Sequence, residues 1–419
     1  MPVLSLAKNK RLSTYLNWWA FIGLSLFILT VPTPTDLLPH PAHYFSSFIE
    51  NIIQWVGVNV LCLSEPYSYQ LSSDSTGLYI HLLLLLALSA LLAIGLINSL
   101  KKQLSNIPIQ QFLVVLMSYY LAYQLLKYGV DKVFKHQFYL PEPNTLYTPL
   151  GQASPDLLYW STMGISYKYS VFAGLLEVVP ACFLLFRKTR VLGALISIAV
   201  MLNVFMINIG FNLSVKLFSA VLLVLSIGIV LPHCRAIYAF FVLQKPQQLN
   251  LKNSYPKEAK GRKIYALAKA IVISLILLEV FWGYFKINNF NDDRVERPFL
   301  HGAYELVAFK KNNKEEFLDW NNKNLWKRVF IHRKGYFIVQ YMDDRLRDYK
   351  LTYNLDQQLL FLNEKWMLKY EISQRDETTF FRLNGIVEGD TLQVTTKSLN
   401  WQQLPAVQND CFWTIDAYR

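Results

Sequence analysis

Apolar residues fall into seven long runs, near 15–31, 78–97, 109–130, 169–186, 191–209, 215–231 and 264–285. Each approaches the roughly 20 apolar residues that a helix needs to cross a hydrocarbon core about 30 Å thick. Seven membrane-spanning helices are therefore predicted. Beyond residue 299 the helical period gives way to alternation. Strands are predicted at 303–309, 325–332, 336–342, 349–354, 359–363, 366–372, 379–383 and 391–396. Lys334-Gly335, Asp343-Asp344, Asn384-Gly385 and Gly389-Asp390 punctuate them as turns. Phe380–Lys397, with Glu388-Gly389-Asp390 at its tip, is the clearest hairpin. About eight strands at this spacing predict an antiparallel barrel or sandwich, lipocalin-like in outline. The expected fold class is a polytopic α-helical membrane bundle followed by an all-β domain. Its divisions are an N-terminal membrane region (1–105), a four-helix module (106–235), a basic loop with the last span (236–290) and the β-domain (291–419).

Two connections carry patterns of their own. Within 32–77, Phe45, Phe48, Ile49, Ile52 and Val56 recur at helical spacing, while Ser46, Glu50, Asn51 and Gln54 take the other face. This predicts a helix that either lies along the outer membrane boundary or packs on the bundle. Residues 136–168 mix Pro141, Pro143, Pro149 and Pro155 with Phe138, Tyr139, Tyr147, Tyr159 and Trp160. An ordered outer loop pressed on the membrane face is predicted there.

The net charge of +12 would suit nucleic acid, but the basic residues gather at the span ends. Lys8, Lys10 and Arg11 precede the first span, and Lys101 and Lys102 follow the second. Arg187, Lys188 and Arg190 separate the fourth and fifth. Arg235, Lys245, Lys252, Lys257, Lys260, Arg262 and Lys263 crowd the connection before the last, whereas 32–77 holds neither Lys nor Arg. The positive-inside rule then places the N-terminus in the cytoplasm. Seven crossings put the β-domain outside, in a periplasm or its equivalent. Lys127, Lys132 and Lys135 run against this pattern on the outer side. The first run lacks a small-residue cleavage site and leads into Pro32, Pro34 and Pro39, so it reads as a retained span.

Cofactor signatures are sparse. The four cysteines form no CxxC; Cys62 and Cys411 would share the outer compartment, so either these two pair or all four stay free. No metal site is expected from the seven histidines: there is no HExxH, and prolines flank His40, three residues before His43. Neither a Gly-rich phosphate loop nor a GxSxG elbow is present.

Ionisable groups inside spans, costly in hydrocarbon, become the site candidates. Glu177 lies ten residues before Arg187, about 15 Å from the inner boundary. Ala173, Gly174 and Ala181 allow another helix to approach, and Pro180 frees the carbonyl of Leu176. Asn203 lies at matching depth in the fifth span. In the third, Tyr120, Gln124, Lys127, Asp131 and Lys135 draw a polar stripe along one face. These predict a midplane cluster of Glu177, Asn203 and Tyr120, with Lys127 and Asp131 above it. Such a cluster is either a ligand site or a satisfied interhelical hydrogen bond. Lys216, after the turn at Asn212, either faces an anionic ligand or anchors the sixth span. Lys269 and Glu279 are too far apart to pair.

Several of these residues resemble a known family. Tyr128-Gly129-Val130-Asp131-Lys132-Val133-Phe134, Gln137-Phe138, Pro141, Met163-Gly164, Glu177, Arg190-Val191-Leu192-Gly193-Ala194, Asn203-Val204 and Val215-Lys216-Leu217 are similar to the pattern of DoxX-like membrane proteins. The resemblance covers roughly residues 110–235 and departs at Phe211-Asn212, where Tyr-Asp is expected. It implies a four-helix membrane module linked to quinone or thiosulfate oxidation and to oxidative-stress complexes. Such modules look similar in turn to the helical part of vitamin K-dependent carboxylases. The implied ligand is a quinone, with Glu177, Asn203 and Lys132 among the matched residues; in a redox reading the predicted polar positions Tyr120, Gln124, Glu177 and Asn203 would hydrogen-bond its head group, and electrons would need a redox partner subunit. The alternative is a non-enzymatic bundle anchoring an outer β-domain that binds lipid or an envelope protein. A transporter would show inverted repeats, and no convincing internal symmetry is visible.

Overall fold

Helices form where the apolar runs predicted them. The computed structural model describes residues 2–37, 39–64, 67–100, 104, 107–249, 258–317, 319, 321–375, 378–408 and 414, with side chains from residue 12 onward. Lys101, Lys102, Lys252, Lys257 and Cys411 lie outside the described residues, as does any Cys62–Cys411 pairing. Contacts divide the chain into two units, 1–134 with 172–290 and 135–171 with 291–419.

The helical unit is built from α1 (Pro2–Thr30), α2 (Ala42–Asn59), α3 (Thr76–Ser99) and α4 (Ile109–Val133). The loop helix α5 (Pro155–Ile165) belongs to the other unit; α6 (Tyr167–Leu184), α7 (Arg190–Gly210), α8 (Lys216–Val230), the short α9 (Cys234–Phe241) and α10 (Ala259–Ile287) follow. Seven segments, in α1, α3, α4, α6, α7, α8 with α9, and α10, are long and apolar enough to cross a membrane. The protein is thus a multi-pass membrane protein, and its helices imply a surrounding bilayer.

Helix α4 is the most enclosed of the seven, with Leu121, Ala122 and Leu125 at its buried core. It crosses α6 where two glycines meet: a Cβ on Gly174 would stand 2.5 Å from the carbonyl oxygen of Gly129. Only backbones can approach so closely. Helix α2 packs on the bundle, setting Ile49 and Ile53 against Ile80 of α3. Its remaining apolar face, with Phe45, Phe48, Ile52 and Trp55, stays exposed.

The second unit is an antiparallel barrel of eight strands: β1 (Gly302–Lys311) and β3 to β9 (Trp326–His332, Tyr336–Tyr341, Leu346–Asn354, Leu359–Leu362, Trp366–Arg375, Thr378–Val387, Asp390–Leu399). Pairing of β1 with β9 closes it, and β2 (Lys314–Glu316) is a short appendage of β1. Alternation aims Tyr304, Leu306, Phe337, Leu360, Tyr370, Phe381 and Leu383 inward. A bulge between Leu306 and Ala308 then flips the parity of β1, so that Phe309 also points in. These rings fill the interior, with Tyr304 and Phe381 centred 5.1 Å apart. Val329–Ile331 of β3 and Phe337–Val339 of β4 read as continuous apolar runs because both their faces are covered. Phe330 and Ile338 lie on the outer face under Tyr147 and Trp401.

One expectation is corrected. Asn384-Gly385 is not a turn: Gly385 pairs with Leu368 in mid-strand, where a Cβ would come within 2.3 Å of the Met367 carbonyl oxygen. The Pro-rich loop is ordered, and its Tyr147 reaches the β-strands. Tyr147 stacks on Phe330 at 6.0 Å, and Gln340 donates to the Tyr147 carbonyl at 3.1 Å.

Candidate functional site

Small side chains open a space in the helical unit. An apolar cleft of about 620 Å³ lies among α1, α3, α4 and α8, lined by Gly23, Phe27, Leu85, Ser89, Met117 and Gly228 among others. Beyond Met117 along α4 come Tyr120 and Gln124, both buried. The Tyr120 hydroxyl and the Gln124 amide nitrogen have no partner of full hydrogen-bond geometry among the described residues, and the two side chains lie within reach of each other, one turn apart on α4. Phe27, on the cleft wall, stands edge-on to the Tyr120 ring at 6.4 Å. Such under-satisfied buried groups carry a desolvation cost that an acceptor on a bound molecule would reduce.

Near the end of α4, charges pair off. Lys132 donates to Glu177 of α6 at 2.9 Å, both side chains buried. Lys127 pairs with Asp36, whose backbone N–H, with that of Leu37, donates to the Glu279 carboxylate of α10. The Tyr284 hydroxyl donates to Asp131.

The predicted midplane cluster does not assemble. Asn203 lies on the exposed face of α7; the buried amide of that helix is Asn208, which donates to the Ser219 hydroxyl at 2.9 Å. Glu177 meets Lys132 instead of Tyr120, because its depth was counted from Arg187 as if α4 and α6 shared level ends. The Gly129–Gly174 crossing shows otherwise, setting Glu177 against the C-terminal third of α4, beside Gly129. Lys216 has an anchoring geometry: its ammonium donates to the Leu213 carbonyl at 2.8 Å. Asp74 accepts the Lys216 and Leu217 backbone N–H groups at 2.7 and 3.0 Å, capping α8. Asp36, Glu279 and Tyr284 were missed as partners. One signal was available: Asp36 sits in a segment without Lys or Arg, so its counter-charge had to come from elsewhere in the chain.

A second polar node lies within the other unit. Glu142 of the loop accepts from His301 at 2.9 Å and lies 3.1 Å from Nε of Arg333 and 3.9 Å from His332. Arg333 also pairs with Asp292. Burial pushes the Glu142 carboxyl up, but the His301 hydrogen bond and the neighbouring His332 and Arg333 charges outweigh it and hold it below the usual carboxylate range. Burial lowers the His332 imidazole and also the Lys135 amine, although Asp293 lies 3.3 Å from the latter. Sequence spacing gave no hint of this node, whose members are spread from Glu142 to Arg333.

No family model matches the chain, and no solved structure matches it. An uncharacterized protein of Bacillus subtilis (strain 168), YwoB, is 29% identical over 115 residues. That stretch is 25% of this chain and 67% of the relative. The likeness is partial.

Proposed function

We propose that the helical unit holds a membrane-soluble ligand of prenylquinone type, the chain serving as a DoxX-like quinone-handling subunit. In this reading it lies in a bacterial inner membrane, N-terminus in the cytoplasm and β-domain in the periplasm, and exchanges electrons through a redox partner subunit. The observation that carries the proposal is a pair of under-satisfied buried polar groups, on Tyr120 and Gln124, one and two turns along α4 from Met117 on the wall of an apolar cleft. Quinone carbonyls only accept hydrogen bonds, and the Tyr120 hydroxyl and the Gln124 amide both carry donors. A tail of isoprene units suits apolar walls, and the volume falls within the range of ligand pockets, roughly 300–1,000 Å³. The DoxX-like residues Tyr128 to Phe134 continue the same helix.

The test is mass spectrometry of molecules retained by the full-length protein in lipid discs. Ala20→Trp fills the cleft from an exposed position, and Gln124→Leu removes one donor. A quinone enriched over bulk lipid on the native protein and about tenfold depleted on both variants is expected. Equal quinone on all three, or none on the native protein, overturns the reading.

A further inference from the structure

We propose that one mouth of the β-barrel is a binding site for a neutral saccharide. The chain enters the barrel at Gly302, and the opposite end, where β1, β4 and β8 finish and β3, β5 and β9 begin, holds a cavity of about 440 Å³. Barrel mouths are common ligand sites, and this volume lies within their usual range. Its floor is aromatic: Trp326 and Tyr349 are buried there, and Tyr341 joins them on the wall.

The rim carries charge in neutralised pairs. Arg347 bonds Glu388, with one contact at 3.0 Å, and lies over the Tyr349 ring at 5.3 Å. Lys311 meets Asp390 at 2.7 Å, and Arg345 bonds Asp343. Glu388 is held in place by a tight turn: it and Gly389 both have positive φ, 55° and 91°, between paired Val387 and Asp390.

Three ligand classes fit poorly. A lipid chain finds no channel, because Phe337 and Phe381 fill the interior. An anion would have to displace a carboxylate already bound to each cation. A folded protein partner needs about 800 Å² of surface on each side, which a concave pocket of this size does not offer. A sugar ring matches what is present. Its C–H groups pack against the partly exposed Tyr341 ring on the wall, and its adjacent hydroxyls both donate and accept, as side-by-side guanidinium and carboxylate groups require.

The experiment uses the full-length protein in lipid discs, titrated with a β-1,4-linked N-acetylglucosamine trimer, cellotriose and maltotriose. Binding is read by saturation-transfer NMR and calorimetry, with inorganic phosphate as the anionic comparison. Rim variants are Arg347→Ala and Asn324→Ala; Lys350→Ala, exposed and paired with Glu364 away from the cavity, is the control. At least one trisaccharide is expected to bind saturably and to weaken about tenfold in both rim variants, with the control unchanged. Three outcomes overturn the proposal: no saturable binding by any trisaccharide, binding of phosphate alone, or saccharide binding that both rim variants leave intact.

Discussion

Lys132 and Glu177 illustrate how a buried pair constrains its neighbours. Their 2.9 Å contact is almost wholly removed from solvent. Attraction between two such charges roughly offsets their desolvation, so the pair adds little net stability, yet removing one partner strands the other. Lys132→Met is therefore expected to cost about 3–5 kcal/mol, and Lys132→Met with Glu177→Leu to recover most of that loss. Thermal unfolding of the three proteins in lipid discs measures this. A double variant as unstable as the single one sinks the argument. Glu177 stood out in the sequence as an ionisable group in a span, and Lys132 as a basic residue at odds with the charge pattern. Their pairing did not, because depth counted along one helix says nothing about where a neighbouring helix begins.

At the scale of elements, alternation predicted eight strands well, since inward rings and outward polar residues repeat along most of them. It failed where a strand is covered on both faces, as at Phe330, and where an Asn-Gly pair sits inside a ladder. The polar node around Glu142 was invisible for a different reason: it joins a loop to strand ends far away in sequence. Its pH behaviour follows from two lowered values. His332 takes up a proton less readily folded than unfolded, so its contribution is present above the ordinary value of 6.5 and is lost as pH falls below it. Glu142, also lowered, contributes above its ordinary 4.5 and loses that contribution as pH falls further. Both act in one direction. The unfolding midpoint, followed by tryptophan fluorescence, is expected to decline from about pH 6.5 downward. His332→Gln should flatten the upper part of that decline, and Glu142→Gln the part below about pH 4.5. A midpoint that stays level between pH 7 and 4 contradicts this account.

For the whole molecule, the apolar runs and the change of period showed a membrane bundle joined to a β-domain, because length and period are properties of the chain itself. Sidedness rests on the distribution of Lys and Arg. In a background without native cysteines, Lys350→Cys should react with a membrane-impermeant maleimide on intact spheroplasts. Lys245→Cys should react only after permeabilisation. The reverse pattern inverts the proposed orientation.

The β-unit takes its residues from two places, 135–171 and 291–419, with roughly 120 residues of helix between them. A ribosome adds about 5–20 residues per second, so the loop waits on the order of ten seconds before its first strand exists. During that interval Tyr147 and the Lys135 amine lack the partners Phe330 and Asp293 that later meet them. Barrel closure comes later still, since β1 must find β9. Biogenesis of this chain therefore includes a period in which a sticky, Pro-rich segment is kept from premature association. Slowing translation between residues 171 and 291 should lengthen that vulnerable interval.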